Sequence, residues 1–265
     1  MMRYWWAFWY AMAFLTRLPV PYLKRTDAAV AATSLIFYPL VGLLLGSSLL
    51  LFSAACILYN PGVSLLLLSA LLLGLWVFFS GALHLDGLAD SADAWVGGLG
   101  NKEKTLAIMK DPQSGPMGIT VLLVVLLIKF AAVFALLDKA LQGNPAQLQH
   151  WNLWLLCGGF LLVPVMARSS VMGILWTTPY VRKEGLGSAL VAGVTPLRCF
   201  IIAALIAVFS VLFLQQQVLF ILALWFTLMA LARQVMMKRL GGCTGDTLGA
   251  AIEVQEALLL AAIAL

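Results

Sequence analysis

Residues 28–85 read AAVAATSLIFYPLVGLLLGSSLLLFSAACILYNPGVSLLLLSALLLGLWVFFSGALHL, without one Asp, Glu, Lys or Arg. The only break is Asn60-Pro61-Gly62. A helix crosses the roughly 30 Å hydrocarbon layer in about 20 residues, so the stretch predicts two membrane spans. They cover 31–58, where Pro39 is placed to kink the helix, and 63–83. Apolar runs at 117–137, 151–176, 199–214, 218–237 and 247–265 bring the number to seven. The opening run, 4–16, would reach only about 20 Å and reads as a short interfacial or re-entrant helix. Its Trp5, Trp6, Trp9 and Tyr10 suit the headgroup level. The fold class expected is all-α, a polytopic membrane helix bundle. No linker or internal repeat divides the chain, so 1–265 reads as one integral membrane domain.

Composition agrees. Of the 265 residues, 63% are hydrophobic and 10% charged, and the mean hydropathy is +1.02. A compact soluble fold could not bury so much apolar side chain. Intrinsic disorder would need more charge, and a secreted disulfide scaffold more than four cysteines. The net charge of +5 calls for no nucleic acid, because basic residues flanking spans account for it.

The loops alternate in charge. Twelve of the sixteen basic residues fall in the amino-terminal stretch and the 84–116, 177–198 and 238–246 loops; the opposite side receives Lys139 alone. Those loops are expected to face the cytoplasm, in a multi-pass protein of the cell (inner) membrane. Ten of the eleven carboxylates sort to the same side, leaving Asp138 outside. Such an accumulation reads as a site.

Four polar clusters carry it. In His84-Leu85-Asp86-Gly87-Leu88-Ala89-Asp90-Ser91-Ala92-Asp93 the aspartates recur at i, i+4 and i+7, on one helical face. Carboxylates gathered this way suit a hard divalent cation, and Mg²⁺ typically takes one or two of them plus phosphate oxygens. Helix capping at a solvated interface is the alternative. His84 reads equally as a hydrogen-bonded residue or a general base. In the second cluster, Lys110-Asp111-Pro112-Gln113-Ser114-Gly115-Pro116, Asp111 could complete a metal shell and Lys110 meet a phosphate, or the segment is a plain helix stop. The third, Arg182-Lys183-Glu184-Gly185-Leu186-Gly187, with Arg168 inside the fourth span, suits a diphosphate or anionic lipid headgroups alike. The fourth opens the last helix with Gly241-Gly242-Cys243-Thr244-Gly245-Asp246, where free N–H groups can hold an anion. Glu253 and Glu256 lie deeper in that span; they are functional by default, or salt-bridged to Arg168, Arg233 or Lys129.

These segments, with Phe14-Leu15-Thr16-Arg17-Leu18-Pro19 and Tyr38-Pro39-Leu40-Val41-Gly42, resemble in order the signature segments of the cobalamin synthase family, adenosylcobinamide-GDP ribazoletransferases. Two positions depart from the pattern: Pro112-Gln113 stands where the family usually has Ser-Arg, and Ala94 where a glycine usually follows the third aspartate. The resemblance implies a Mg²⁺-dependent membrane enzyme of vitamin B12 biosynthesis. It would join adenosylcobinamide-GDP to α-ribazole or its 5′-phosphate and release GMP. The expected metal ligands are Asp86, Asp90 and Asp93, with Asp111 or Asp246 contributing. Arg17, Lys110, Arg168, Arg182 and Thr244 are the expected substrate contacts. Asp86 and Asp90 are expected to act in catalysis, with Glu184, Glu253 and His84 as candidate bases. Membrane lipid surrounds the chain, and a homo-oligomer is allowed. The competing readings are a CDP-alcohol-type lipid phosphotransferase and a transporter with intramembrane carboxylates.

Overall fold

The computed structural model describes residues 2–141, 152–182 and 187–265, and among them every regular element is helical. Helix α1 is Met2–Leu15, and α2 (Ala28–Ser34) runs through a 3₁₀ turn into α3 (Tyr38–Tyr59). Pro39 sits in the first turn of α3, where its missing N–H costs nothing, and the irregularity falls at Leu35–Phe37 before it. Ser64 caps α4 (Leu65–Ser80) by accepting from Leu67 N–H at 3.4 Å. Gly81 and Ala82 then both turn left-handed, at φ 61° and 56°, and α5 (Leu83–Gly97) leaves at 87° to α4. After α6 (Lys102–Ile108) come α7 (Pro116–Ala140), α8 (Leu153–Cys157), a π turn at Gly158–Leu162, and α9 (Val163–Thr177). The chain ends with α10 (Pro196–Leu214), α11 (Val218–Leu240) and α12 (Gly245–Ala264).

Five helical runs are long and apolar enough to cross a membrane, six if the bent α4–α5 pair is one span. The longest, Pro196–Leu240, has 45 residues, about twice the bilayer's need. It folds back at Gln215, where φ is +46°. Phe213 meets Trp154 and Phe200 meets Trp176, so α10 runs against α8–α9. Trp225 Nε1 donates to Met166 O and Arg233 Nε to Thr177 O, so α11 runs alongside α9. Taken as two rods, this run brings the long apolar rods to the seven expected from hydropathy.

The principal core joins α3, α4, α7, α9 and α12 through Leu49, Leu72, Trp76, Leu136, Met166 and Leu260, all buried. Leu40, Leu44, Leu51, Leu123, Leu127, Leu205 and Leu219 stay exposed, as lipid-facing positions do. Two glycines one turn apart, Gly42 and Gly46, let α3 close on α9. A Cβ at Gly46 would lie 3.0 Å from Leu161 Cα and closer still to Phe160 O, and one at Gly42 would lie 2.5 Å from Pro164 O. Gly46→Val must push these backbones apart, at a cost of about 1–3 kcal/mol. The expected result is a lower thermal unfolding midpoint in detergent; an unchanged midpoint would show that the contact is loose.

Candidate functional site

The loops between α4 and α7, between α9 and α10, and between α11 and α12 converge at one end of the bundle. Gly87 permits the central contact there. A Cβ at that position would stand 2.6 Å from Asp246 O and 2.8 Å from Asp246 Cα, so only glycine lets α5 cross the start of α12. Thr244 begins α12 with a reciprocal cap: Thr247 N–H donates to its Oγ1 at 3.3 Å, and Thr244 N–H donates to Thr247 Oγ1 at 2.9 Å. Thr244, expected as a substrate contact, is fully buried and engaged in this cap. The segment before it pairs with 179–181: Cys243 N–H donates to Pro179 O at 2.8 Å and Val181 N–H to Cys243 O at 2.9 Å. This short bridge draws Arg182 to Asp246, Nη2 to Oδ2 at 2.7 Å.

A cavity of about 480 Å³ opens beside this pair. Arg17, Asp86, Arg182 and Asp246 stand at its polar side; Phe14, Leu15, Tyr38, Val171, Leu248 and Ile252 wall the rest, with His84 among them. Asp90 lies one helical turn beyond Asp86. Partial burial, then the charges of Asp86, Asp246 and Asp93, lift its carboxyl to about 6 against the opposing pull of Arg182. Asp86, Asp90 and Asp246 therefore form one anionic field on two facing helices.

Other expected site residues go elsewhere. Asp93 turns to the start of α7, where Oδ2 accepts from Gly115 N–H at 2.6 Å and Oδ1 from Gly118 N–H at 2.9 Å. Both its oxygens are engaged by orphan helix donors, which ties α5 to the start of α7. Exposed Asp111 closes a local turn by accepting from Gln113 N–H at 3.0 Å, and exposed Lys110 lies off the cavity wall. Among the described residues no three His, Cys, Asp or Glu side chains are set to hold a metal ion by themselves. Glu184 and Lys183 lie outside the described residues.

Arg168 and Glu253, expected at the substrate, belong to a buried network between α7, α9 and α12. Lys129 Nζ sits 2.8 Å from Glu253 Oε2, 2.6 Å from Glu256 Oε2 and 4.7 Å from the Trp76 ring centroid. Arg168 Nη1 lies 2.5 Å from Glu256 Oε1. Two cations face two carboxylates, all at most 2% exposed. The cost of a lone intramembrane charge forces such pairing. His84 Nδ1 ends the chain, 4.0 Å from Glu253 Oε1. Tyr38 and Tyr180, not among the expected site residues, also line the cavity, Tyr38 from an uncharged apolar run and Tyr180 from just before the Arg182 cluster.

A family model described as Cobalamin-5-phosphate synthase matches residues 7–264. The chain belongs to that family. It is 43% identical to the adenosylcobinamide-GDP ribazoletransferase of Pseudomonas savastanoi pv. phaseolicola and 45% identical to that of Pseudomonas entomophila, covering 97% of this chain and 98% of each relative. With the Acinetobacter baumannii protein of the same name, strain ATCC 17978, identity is 41%, over 96% of this chain and 94% of the relative. No solved structure matches.

The network sets a test of this family member's architecture. Glu256→Gln leaves Arg168 and Lys129 short of negative charge in an apolar interior, which costs about 3–5 kcal/mol. Folded yield on size exclusion in detergent is expected to collapse for Glu256→Gln and to persist for Asp246→Asn. Equal yields would deny the network its structural role.

Proposed function

We propose that the chain works as a single Mg²⁺-dependent transferase domain joining adenosylcobinamide-GDP to α-ribazole or its 5′-phosphate, with GMP released. The observation that carries this reading is the juxtaposition of Asp86 and Asp246 with Arg17 and Arg182 at one cavity, with Asp90 one turn along α5 in the same field, in a chain of this family. The concentration of basic residues in the loops at that end supports placing the mouth on the cytoplasmic side of the cell (inner) membrane.

The reaction needs positioning and charge neutralisation more than covalent chemistry by the protein. A ribose hydroxyl oxygen bonds to the phosphorus attached to cobinamide. The bond from that phosphorus to the bridging oxygen breaks, and its electron pair leaves with GMP. The hydroxyl's proton passes to the carboxylates of the mouth. Arg17 and Arg182 hold the diphosphate, and the Arg182–Asp246 pair keeps the guanidinium aimed at it. Asp86, Asp90 and Asp246 offer hard oxygen donors only. They fit Mg²⁺, which usually takes one or two protein carboxylates and completes its shell with water and substrate phosphates. Bound there, the ion would neutralise phosphoryl charge and orient the diphosphate.

His84 and Glu253 take no part in this scheme as bases. Glu253 is neutralised by buried Lys129, and buried His84 has its Nδ1 turned to that network, 4.0 Å from Glu253 Oε1. The self-neutralised network likewise gives a transport pathway no free charge to use.

Purified protein in detergent, given both substrates and Mg²⁺, is expected to release GMP and form the corrinoid product in equal amounts. Asp86→Asn and Asp90→Asn should each lower turnover on the order of a hundredfold with folded yield intact. Wild-type rates in both variants would remove these carboxylates from the chemistry, and absence of GMP from folded wild-type protein would remove the reaction.

A further inference from the structure

Helices α5 and α12 turn Asp86 and Asp246 toward the cavity of the mouth and present their other faces to a second hollow. This groove, of about 590 Å³, runs between α5, α7, α11 and α12. Its α11 wall extends from Leu228 to Arg239 and its α12 wall from Thr247 to Leu258. Each covers eleven steps of a helix, about 16 Å, which is one leaflet's share of the roughly 30 Å hydrocarbon layer. Exposed Val96, Met117 and Leu231 line it as well, so it opens on the surface that meets lipid. Polar side chains along its length are already engaged. Ser91 Oγ donates to Gly87 O at 2.6 Å, Thr247 Oγ1 to Thr244 O at 3.1 Å and Gln255 Nε2 to Ser170 Oγ at 3.0 Å, while Gln255 Oε1 is buried without a donor. Charge is confined to one end. There Arg239 Nη1 donates to the neutral Trp95 O at 3.2 Å, Lys238 precedes it, and Lys102 of α6 places Nζ 3.4 Å from where a Cβ at Gly241 would stand. Among the described residues no carboxylate pairs with these three cations, exposed Glu103 included.

We propose that this groove binds an anionic phospholipid of the leaflet that meets these loops, with an acyl chain between α5, α11 and α12 and the phosphate on Arg239, flanked by Lys102 and Lys238. Length, polarity and charge each select that occupant. The groove is as deep as one leaflet, its apolar run suits an acyl chain, and unpaired cations stand only where a headgroup would lie. Basic pockets between membrane helices hold anionic headgroups for this reason. A free phosphate or a nucleotide would leave the apolar length uncovered. A zwitterionic lipid would bring a second cation among Arg239, Lys102 and Lys238, which repel it. Trp95, on the α5 wall at the charged end, stands at the level where indoles favour the headgroup boundary. The lipid packs behind the two helices that carry Asp86 and Asp246 and enters the cavity of the mouth nowhere. The site holds independently of the reaction proposed above.

Delipidated protein in detergent is titrated with phosphatidylglycerol or with phosphatidylcholine of the same acyl chains, and bound lipid is read by native mass spectrometry. The wild type is expected to hold phosphatidylglycerol about tenfold more tightly than phosphatidylcholine, and Arg239→Gln to cut that preference to about twofold. Ala232→Phe, which fills the groove away from the phosphate, should weaken phosphatidylglycerol about tenfold with folded yield intact. Arg233→Gln, on the α9 side of the same helix, should leave the preference as it is in the wild type. Excess glycerol 3-phosphate should displace no bound phosphatidylglycerol. Equal binding of the two lipids by the wild type, or an undiminished preference in Arg239→Gln, overturns the site. An equal fall in Arg233→Gln would reduce it to general surface charge, and displacement by glycerol 3-phosphate would leave a headgroup site without a place for the chain; either overturns the proposal. If Arg239→Gln gives no folded protein, Ala232→Phe decides, and undiminished phosphatidylglycerol binding in that variant overturns the assignment.

Discussion

The rotation and depth of α12 are fixed by ion pairs inside the bundle. Lys129 from α7 and Arg168 from α9 both reach Glu256, and Lys129 also reaches Glu253. Hydrophobic packing within a membrane is weakly directional, because lipid tails are as apolar as the side chains they would replace. A charge network is different. Sliding α12 by one turn would strand four buried charges, each at a cost no packing gain could offset. From Glu253 to Asp246 is seven residues, about 10 Å along the same helix. The buried network therefore determines where the start of α12, and Asp246 with it, stands.

The second constraint is steric and acts at that start. Because Gly87 has no side chain, α5 lies against the backbone at Asp246, and its Asp86 and Asp90 share a field with that residue. The left-handed pair Gly81–Ala82 supplies the sharp turn that sends α5 there instead of continuing α4. The strain of a non-glycine residue in that region is tolerated because both flanking helices are pinned, α4 by the core at Trp76 and α5 by Asp93 on the α7 amino terminus. Backbone geometry thus gathers the mouth from segments that lie far apart in sequence.

Hydropathy made the helical bundle legible, since bilayer thickness leaves few ways to accommodate such long apolar runs. Charge alternation likewise indicated which loops meet at one end. The spacing of Asp86, Asp90 and Asp93 correctly placed them on one helix, but shared spacing could not reveal that Asp93 faces the start of another helix. That depends on the donors Gly115 and Gly118, which the chain brings close only in three dimensions. Thr244 is ambiguous for a similar reason: a threonine opening a glycine-rich helix start suits an anion site and a capping box equally, and only the structure shows the reciprocal bonds with Thr247.

The carboxylates can be sorted by one physical criterion, whether each already has its charge met. Asp27 is capped by Val30 N–H and paired with Arg25; Asp93 holds two backbone N–H groups; Asp111 closes its own turn. Glu253 and Glu256 are neutralised by Lys129 and Arg168. Asp246 answers Arg182 yet still borders the cavity. Asp86 and Asp90 have no such partner among the described residues, and the proton affinity of Asp90 is raised by burial and by its anionic neighbours. Like charges at close range repel, and a cation between them would relieve that repulsion. The proposed divalent cation would supply that positive charge and, unlike a fixed lysine, could come and go with the phosphates.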